Sequence, residues 1–240
     1  MKTIVTVAAS TPELPRKSEG DVVELTDGRL LLVYMEFGGD GSDFARTRLV
    51  AQESADGGLT WGGHRVITTT APGDVNVYSP NLVRAQDGRI LLLFHRNHGK
   101  DDGHGALCTL YAWKSTDEGE SFAPFAEFAV KQDCSLCNAV VKRLASGRLL
   151  LPVSSAVPGA HGPWGKCAVS VLFSDDDGRT WREAANRLTL PLRGAMEPHV
   201  EQTRDGRALM VMRNQLGALF LSESADDGVA WSLPQTTGLR

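Results

Sequence analysis

The chain is predicted to be an all-β propeller of four-stranded antiparallel blades, and three observations carry that prediction. The first is one pattern written four times: ELTDGRLLLVYMEF from Glu24, VRAQDGRILLLFHR from Val83, KRLASGRLLLPVSS from Lys142 and EQTRDGRALMVMRN from Glu201. Its turn glycines, Gly28, Gly88, Gly147 and Gly206, are spaced 60, 59 and 59 residues apart. The second is a companion motif in step with it: SADGGLTW at Ser54, STDEGESF at Ser115, SDDDGRTW at Ser174 and SADDGVAW at Ser224. The third is the hydrophobic pattern, short apolar runs of strand length punctuated by Gly, Asp and Ser, without a helical period. A unit of ~60 residues holding four such runs describes a propeller blade.

Each element of the unit has a physical reason. A first strand, such as Asp21 to Leu25, meets a tight turn whose Asp-Gly or Ser-Gly pair supplies the positive φ a hairpin needs. The second strand, Leu30 to Phe37 or Ile90 to Phe94, is apolar nearly throughout, which suits a strand covered on both faces. A third strand runs into Ser-x-Asp-x-Gly-x-Thr-Trp, where Ser and Asp bond turn amides and Trp packs beneath the hairpin. A fourth strand follows, such as Arg65 to Thr70. The opening MKTIVTVAAS alternates like a strand over Thr3 to Ala8 and makes a poor secretory signal.

Composition narrows the function classes. At 240 residues the chain admits one large domain or two small ones. The repeat favours a single domain over 1–240, with blades near 16–75, 76–132, 133–192 and 193–240. With 42% hydrophobic and 22% charged residues, the composition is that of a globular protein. Basic residues number 25 and acidic ones 29, a net charge of -4 that offers no footprint for nucleic acid or an anionic membrane surface. No apolar run approaches the ~20 residues of a bilayer span. Neither class of partner is expected, a cytoplasmic location is the default, and the oligomeric state is not legible.

Cysteine and histidine point to no metal. Cys108, Cys134, Cys137 and Cys167 are too few and scattered for a disulfide framework, so reduced thiols are expected. The single CxxC at Cys134 and Cys137 lacks the second pair a structural zinc site uses. His95, His98 and His104 lie in a polar, Gly-rich segment that reads as a solvated loop. No metal or cofactor is expected.

The candidate site follows from topology. In a strand order A-B-C-D, the two repeated turns fall on one face of the disc, and the loops entering strand A and leaving strand B fall on the other. There the units diverge, as binding loops on a rigid scaffold do. The entering loops carry Arg16 and Lys17, then Asp74, Asn76 and Tyr78, then Asp133 and Asn138, then Glu197. The leaving loops carry Asp40 and Asp43, then His95 and Arg96, then Ser154 and Ser155, then Arg213 and Asn214. Arg16 and Arg213, facing a common centre, would clamp a carboxylate in bidentate fashion. The alternative is that each pairs with an acid on the rim. Glu197 is a base or an arginine's partner, and Asp40 and Asp43, in the Gly-rich GGDGSDF, suit general-acid work or a plain turn.

The Ser-x-Asp-x-Gly-x-Thr-Trp element resembles the Asp-box of the sialidase (neuraminidase) superfamily, and the resemblance covers essentially the whole chain. It implies blades of a six-bladed β-propeller, no cofactor, and exo-hydrolysis of terminal sialic acid or a related acidic sugar on a sialoglycan, with retention. It further implies that Arg16 in PRKSEGD and Arg213 in VMRN hold the substrate carboxylate, that Glu197 in MEP polarises a nucleophilic tyrosine, and that Asp43, or else Asp40, is the acid/base. Tyr78, Arg96 and Asn138 are the remaining substrate-contact candidates.

Six blades at ~60 residues need about 360, so the chain is expected to be incomplete. The third arginine and the nucleophilic tyrosine of the family pattern are expected beyond Arg240. In that pattern the Thr3 to Ala8 strand would complete the last blade. The alternative function is a non-catalytic Asp-box propeller that binds carbohydrate or protein.

Overall fold

The structure, a computed structural model, describes residues 4–101, 105–132, 134–157 and 165–239. Its four sheets follow one another along the chain, each ordered as its strands occur. Blade 1 comprises β1 (Arg16–Glu24), β2 (Leu30–Phe37), β3 (Thr47–Ser54) and β4 (Gly62–Thr69). Blade 2 comprises β5 (Asn76–Arg84), β6 (Ile90–Asp101), β7 (Gly105–Ser115) and β8 (Ala123–Gln132). In blade 3 the first and last strands are broken into short pieces. Both β9 (Cys134–Ser135) and β10 (Lys142–Arg143) pair with β11 (Leu149–Ala156), while β13 (Arg182–Glu183) and β14 (Leu188–Thr189) both pair with β12 (Cys167–Ser174). Blade 4 comprises β15 (Met196–Gln202), β16 (Ala208–Arg213), β17 (Phe220–Ser224) and β18 (Gln235–Thr236). The described residues form a four-bladed β-propeller without helices.

The alternation of strand side chains explains why the second strands are apolar throughout. Along β6, Leu91 and Leu93 enter the core shared with blade 3, while Ile90, Leu92 and Phe94 enter the core shared with blade 1. Likewise β11 gives Leu149, Leu151 and Val153 to the blade 2 side and Leu150 to the blade 4 side. Each of the three cores lies between successive blades. The outer faces of blades 1 and 4 leave Val22, Val66, Val211 and Leu219 exposed.

The Asp-boxes close as the motif predicts. Ser54 Oγ accepts the Gly58 amide at 2.8 Å and donates to Asp56, whose carboxylate takes the Thr60 amide at 2.8 Å and hydroxyl at 2.7 Å. The indole of Trp61 donates to the Gly58 carbonyl at 2.9 Å. Trp181 and Trp231 repeat that bond and are buried.

Two expectations are corrected. Residues 4–8 form no strand, because none of the described residues pairs with them: Ile4 is 93% exposed. Thr3 lies outside the described residues. His95 and His98 belong to β6 rather than to a loop, since β6 pairs with β7 well beyond the apolar run. His104 and Asp133 lie outside the described residues.

Candidate functional site at the axial end of the blades

The site rests on a backbone irregularity repeated in every blade. The innermost strands slip register between Ser18 and Asp21, Tyr78 and Asn81, and Met196 and His199. Within each slip one non-glycine residue is left-handed: Glu19 at φ 54°, Ser79 at 55° and Glu197 at 48°. In blade 3, Ala139 takes φ 55° at the matching place between β9 and β10. Such a conformation costs on the order of 1–3 kcal/mol and persists where the surroundings over-determine it. Asp21 supplies part of that hold in blade 1, its Oδ2 accepting the Leu82 amide of blade 2 at 2.7 Å. Asn81 does so in blade 2: its amide nitrogen donates to Ser79 and Cys137 carbonyls at 3.0 and 2.9 Å, and its oxygen accepts the Val140 and Val141 amides at 2.6 and 3.1 Å.

Around the first two of these positions a charged cluster assembles. Arg16, at the start of β1, bonds Asp43 Oδ1 at 2.6 Å and Glu19 Oε1 at 3.1 Å, with its guanidinium 4.2 Å from the centre of the Phe37 ring. The Tyr78 hydroxyl lies 3.2 Å from Asp43 Oδ1, and the Ser79 hydroxyl lies 3.4 Å from Glu19. Tyr78 packs edge-on against Phe37 and tilted against His95, each at 5.7 Å between ring centres. The two carboxyls are pushed apart. The bond from Arg16 holds Asp43 below the usual carboxylate range, whereas burial raises Glu19 against the pull of Tyr78 and Arg16. Burial, with Glu19 and Asp43 adding to it, raises Tyr78 so that its phenol keeps its proton. His95 is driven down to about 3 by burial and is neutral, accepting the Leu136 amide at 3.3 Å.

A second cluster joins blades 3 and 4. Glu197 Oε1 lies 2.6 Å from Arg213, and the Glu197 amide donates to Ser154 Oγ at 3.1 Å. The register places Arg213 at the end of β16, opposite Met196. Cys137 connects the clusters: burial pushes its thiol up to about 12, and the Glu197 and Glu19 carboxylates both add to the rise. Asn138 ties the same segment to blade 1 by donating to the Gly20 carbonyl at 2.9 Å.

Of the candidates, Arg16, Asp43 and Tyr78 are therefore brought together, Glu197 and Arg213 form the second cluster, and Asn138 spans between blades beside Glu19. Asp40 caps its own loop, accepting the Ser42 amide at 3.0 Å. Arg96 lies apart from both clusters. Because His95 faces Tyr78, alternation turns Arg96 to the opposite side of β6, where it bonds Asp74 at 3.1 Å, Thr68 at 3.0 Å and the Thr69 carbonyl at 3.3 Å. Sequence reasoning missed Glu19, Ser79 and Cys137. The first two were detectable by position, since residues 19, 79, 139 and 197 precede their turn glycines by nine, nine, eight and nine residues.

Among the described residues no group of three or more His, Cys, Asp or Glu side chains is arranged to hold a metal. A concavity of about 550 Å³ lies on the opposite, Asp-box face, lined by Gln86, Gly147, Arg148, Asp175, Asp177 and Asp227 among others. Its charged walls are committed to structural pairs, Arg148 with Asp175 and Asp177 with Arg143, each at 2.6 Å.

Residues 37–240 match the model of a family described as BNR repeat-like domain. No curated protein matches the sequence. Among solved structures, a protein of unknown function from Dyadobacter fermentans superposes with a TM-score of 0.79 at 20% identity, covering 98% of this chain and 72% of that one. The Hadza microbial sialidase Hz136 gives 0.73 at 18% identity, covering 95% and 48%. Trypanosoma rangeli sialidase gives 0.70 at 18% identity, covering 90% and 37%. The chain thus shares the sialidase-type propeller fold and spans half or less of these two sialidase chains.

Proposed function

The chain belongs to the BNR repeat-like domain family, and from that premise we propose that its axial face is a sialidase-type glycan site. It acts on a terminal sugar bearing a carboxylate, sialic acid or a close relative, by retaining exo-hydrolysis. The observation that supports this reading is the presence of two guanidinium groups on one face, Arg16 and Arg213, each beside a carboxylate on a strained bulge of the innermost strand. Planar guanidinium forks recognise carboxylates better than ammonium groups do. In this reading Arg16 and Arg213 orient the sugar carboxylate, Glu197 acts as base toward the nucleophile, and Asp43 serves as acid/base. Tyr78 and Asn138 contact the substrate. The blades form one propeller domain.

A second reading, carbohydrate binding without hydrolysis, is favoured by the pairing of both arginines within the chain and by the firmly protonated Tyr78. Release of fluorophore from 4-methylumbelliferyl N-acetylneuraminide distinguishes the two. Hydrolysis that falls about 10²-fold or more in Glu197→Gln, and also falls in Arg213→Ala, supports the enzyme. Parental rates in both variants would place the chemistry elsewhere, and sugar binding without release would favour the binder.

A further inference from the structure

Arg16 has two acidic partners of different kinds. Glu19 belongs to the same strand and is only 23% exposed, whereas Asp43 sits on the β2–β3 loop and is 70% exposed. That loop turns through Gly39 and Gly41, both at positive φ, and Asp43 reaches the outer NH1 group at 2.6 Å. With Glu19 on the other nitrogen and Phe37 against the guanidinium, the Asp43 carboxylate occupies the place a ligand carboxylate would need. Building on the sialidase-type reading, we propose that Asp43 is an internal stand-in for the ligand carboxylate: an acidic sugar displaces it from Arg16, and displacement converts it into the proton donor.

The chemistry of the neighbours supports the conversion. While bonded to Arg16, Asp43 is held ionised and has no proton to give. The charged and titratable groups that face it are Arg16 and Glu19 from β1 and Tyr78 from β5. Once the sugar carboxylate takes its place on Arg16, Asp43 loses the bond that contributes most to holding it ionised and lies beside a second negative charge, which favours its protonated form against the remaining pull of the Tyr78 hydroxyl. The proton it takes from solvent on release is the one it delivers to the glycosidic oxygen. The acid is thereby armed only when substrate is bound.

Displacement is tested by titrating acetate and free N-acetylneuraminic acid into the full ¹⁵N-labelled chain and following the Arg16 Nε–H resonance. Asp43→Ala is expected to tighten both about fivefold, the gain from removing an exposed competing ion pair. Asp43→Asn, nearly isosteric, is expected to tighten both in the same direction. Unchanged or weaker binding in both variants overturns the proposal. So does equal tightening in Glu19→Gln, which would make the gain a matter of net charge rather than of displacement. Tightened binding in the Asp43 variants with no glycoside release by any protein supports the displacement and refutes the hydrolytic reading together with the role of Asp43 as its proton donor.

Discussion

Asn81 is the side chain whose loss should be felt most widely, and the size of the effect can be worked from its bonds. It is fully buried and makes four hydrogen bonds, one pair to blade 2 and blade 3 carbonyls and one pair to the Val140 and Val141 amides. Asn81→Ala removes all four and leaves backbone groups that neither water nor protein readily satisfies. At a net ~1 kcal/mol per bond, the loss comes to about 3–5 kcal/mol, a large share of the ~5–15 kcal/mol that holds a domain together. The corresponding fall in melting temperature is roughly 10 °C for a chain of this size. Urea unfolding followed by tryptophan fluorescence measures the free energy, and scanning calorimetry measures the temperature. Asn138→Ala is the internal comparison: it removes one half-buried bond, to Gly20, and should cost about 1 kcal/mol. Equal losses in the two variants, or a loss below about 1 kcal/mol for Asn81→Ala, would refute the idea that Asn81 locks blades 2 and 3 together.

Gly194→Ala should destabilise the fold by roughly 3 kcal/mol or more in the same urea assay, because a Cβ there meets the Cys167 carbonyl oxygen and φ is 84°. The Asp-box sets an acid limit: bonds from the Thr60 hydroxyl and amide lower Asp56 to about 2. A lowered carboxyl stabilises the folded state above its unfolded pKa of ~3.9 and loses that contribution as pH falls toward about 2. Asp56→Asn should therefore flatten the parent's loss of stability across that window, as acid titrations followed by circular dichroism would show. Exposed Val22, Val66, Val211 and Leu219 on the two outer faces predict self-association of the 240-residue chain. Light scattering should find it reduced by Val66→Lys with Leu219→Lys, and a clean parental monomer would contradict this.

The blades were legible because their signals are local and repeated. Ile90 to Phe94 falls within a strand whose two faces serve different cores, as its unbroken apolarity suggests. The Asp-box could be read down to individual bonds, because Ser54, Asp56 and Thr60 lie within one turn of chain. The axial site was legible only by loop and not by side-chain direction. His95 and Arg96 are adjacent in sequence, yet pleating sends one to Tyr78 and the other to Asp74. Polarity made residues 95–98 look like a loop, whereas β7 carries the pairing through them. The bulge eluded residue-type reasoning because Glu, Ser, Ala and Glu have no common chemistry. What they share is a backbone conformation imposed by neighbouring strands.

That indifference to side-chain type gives the propeller a hub with interchangeable sockets. The sheets bear the cost of the left-handed turn, so what projects from residue 19, 79, 139 or 197 can be exchanged without rebuilding a blade. Ala139 is already open to solvent, and Ala139→Asp would bring one more acid to the centre at little expense to folding. A scaffold of this kind can change the charge and shape of its axial end by single substitutions at four known addresses.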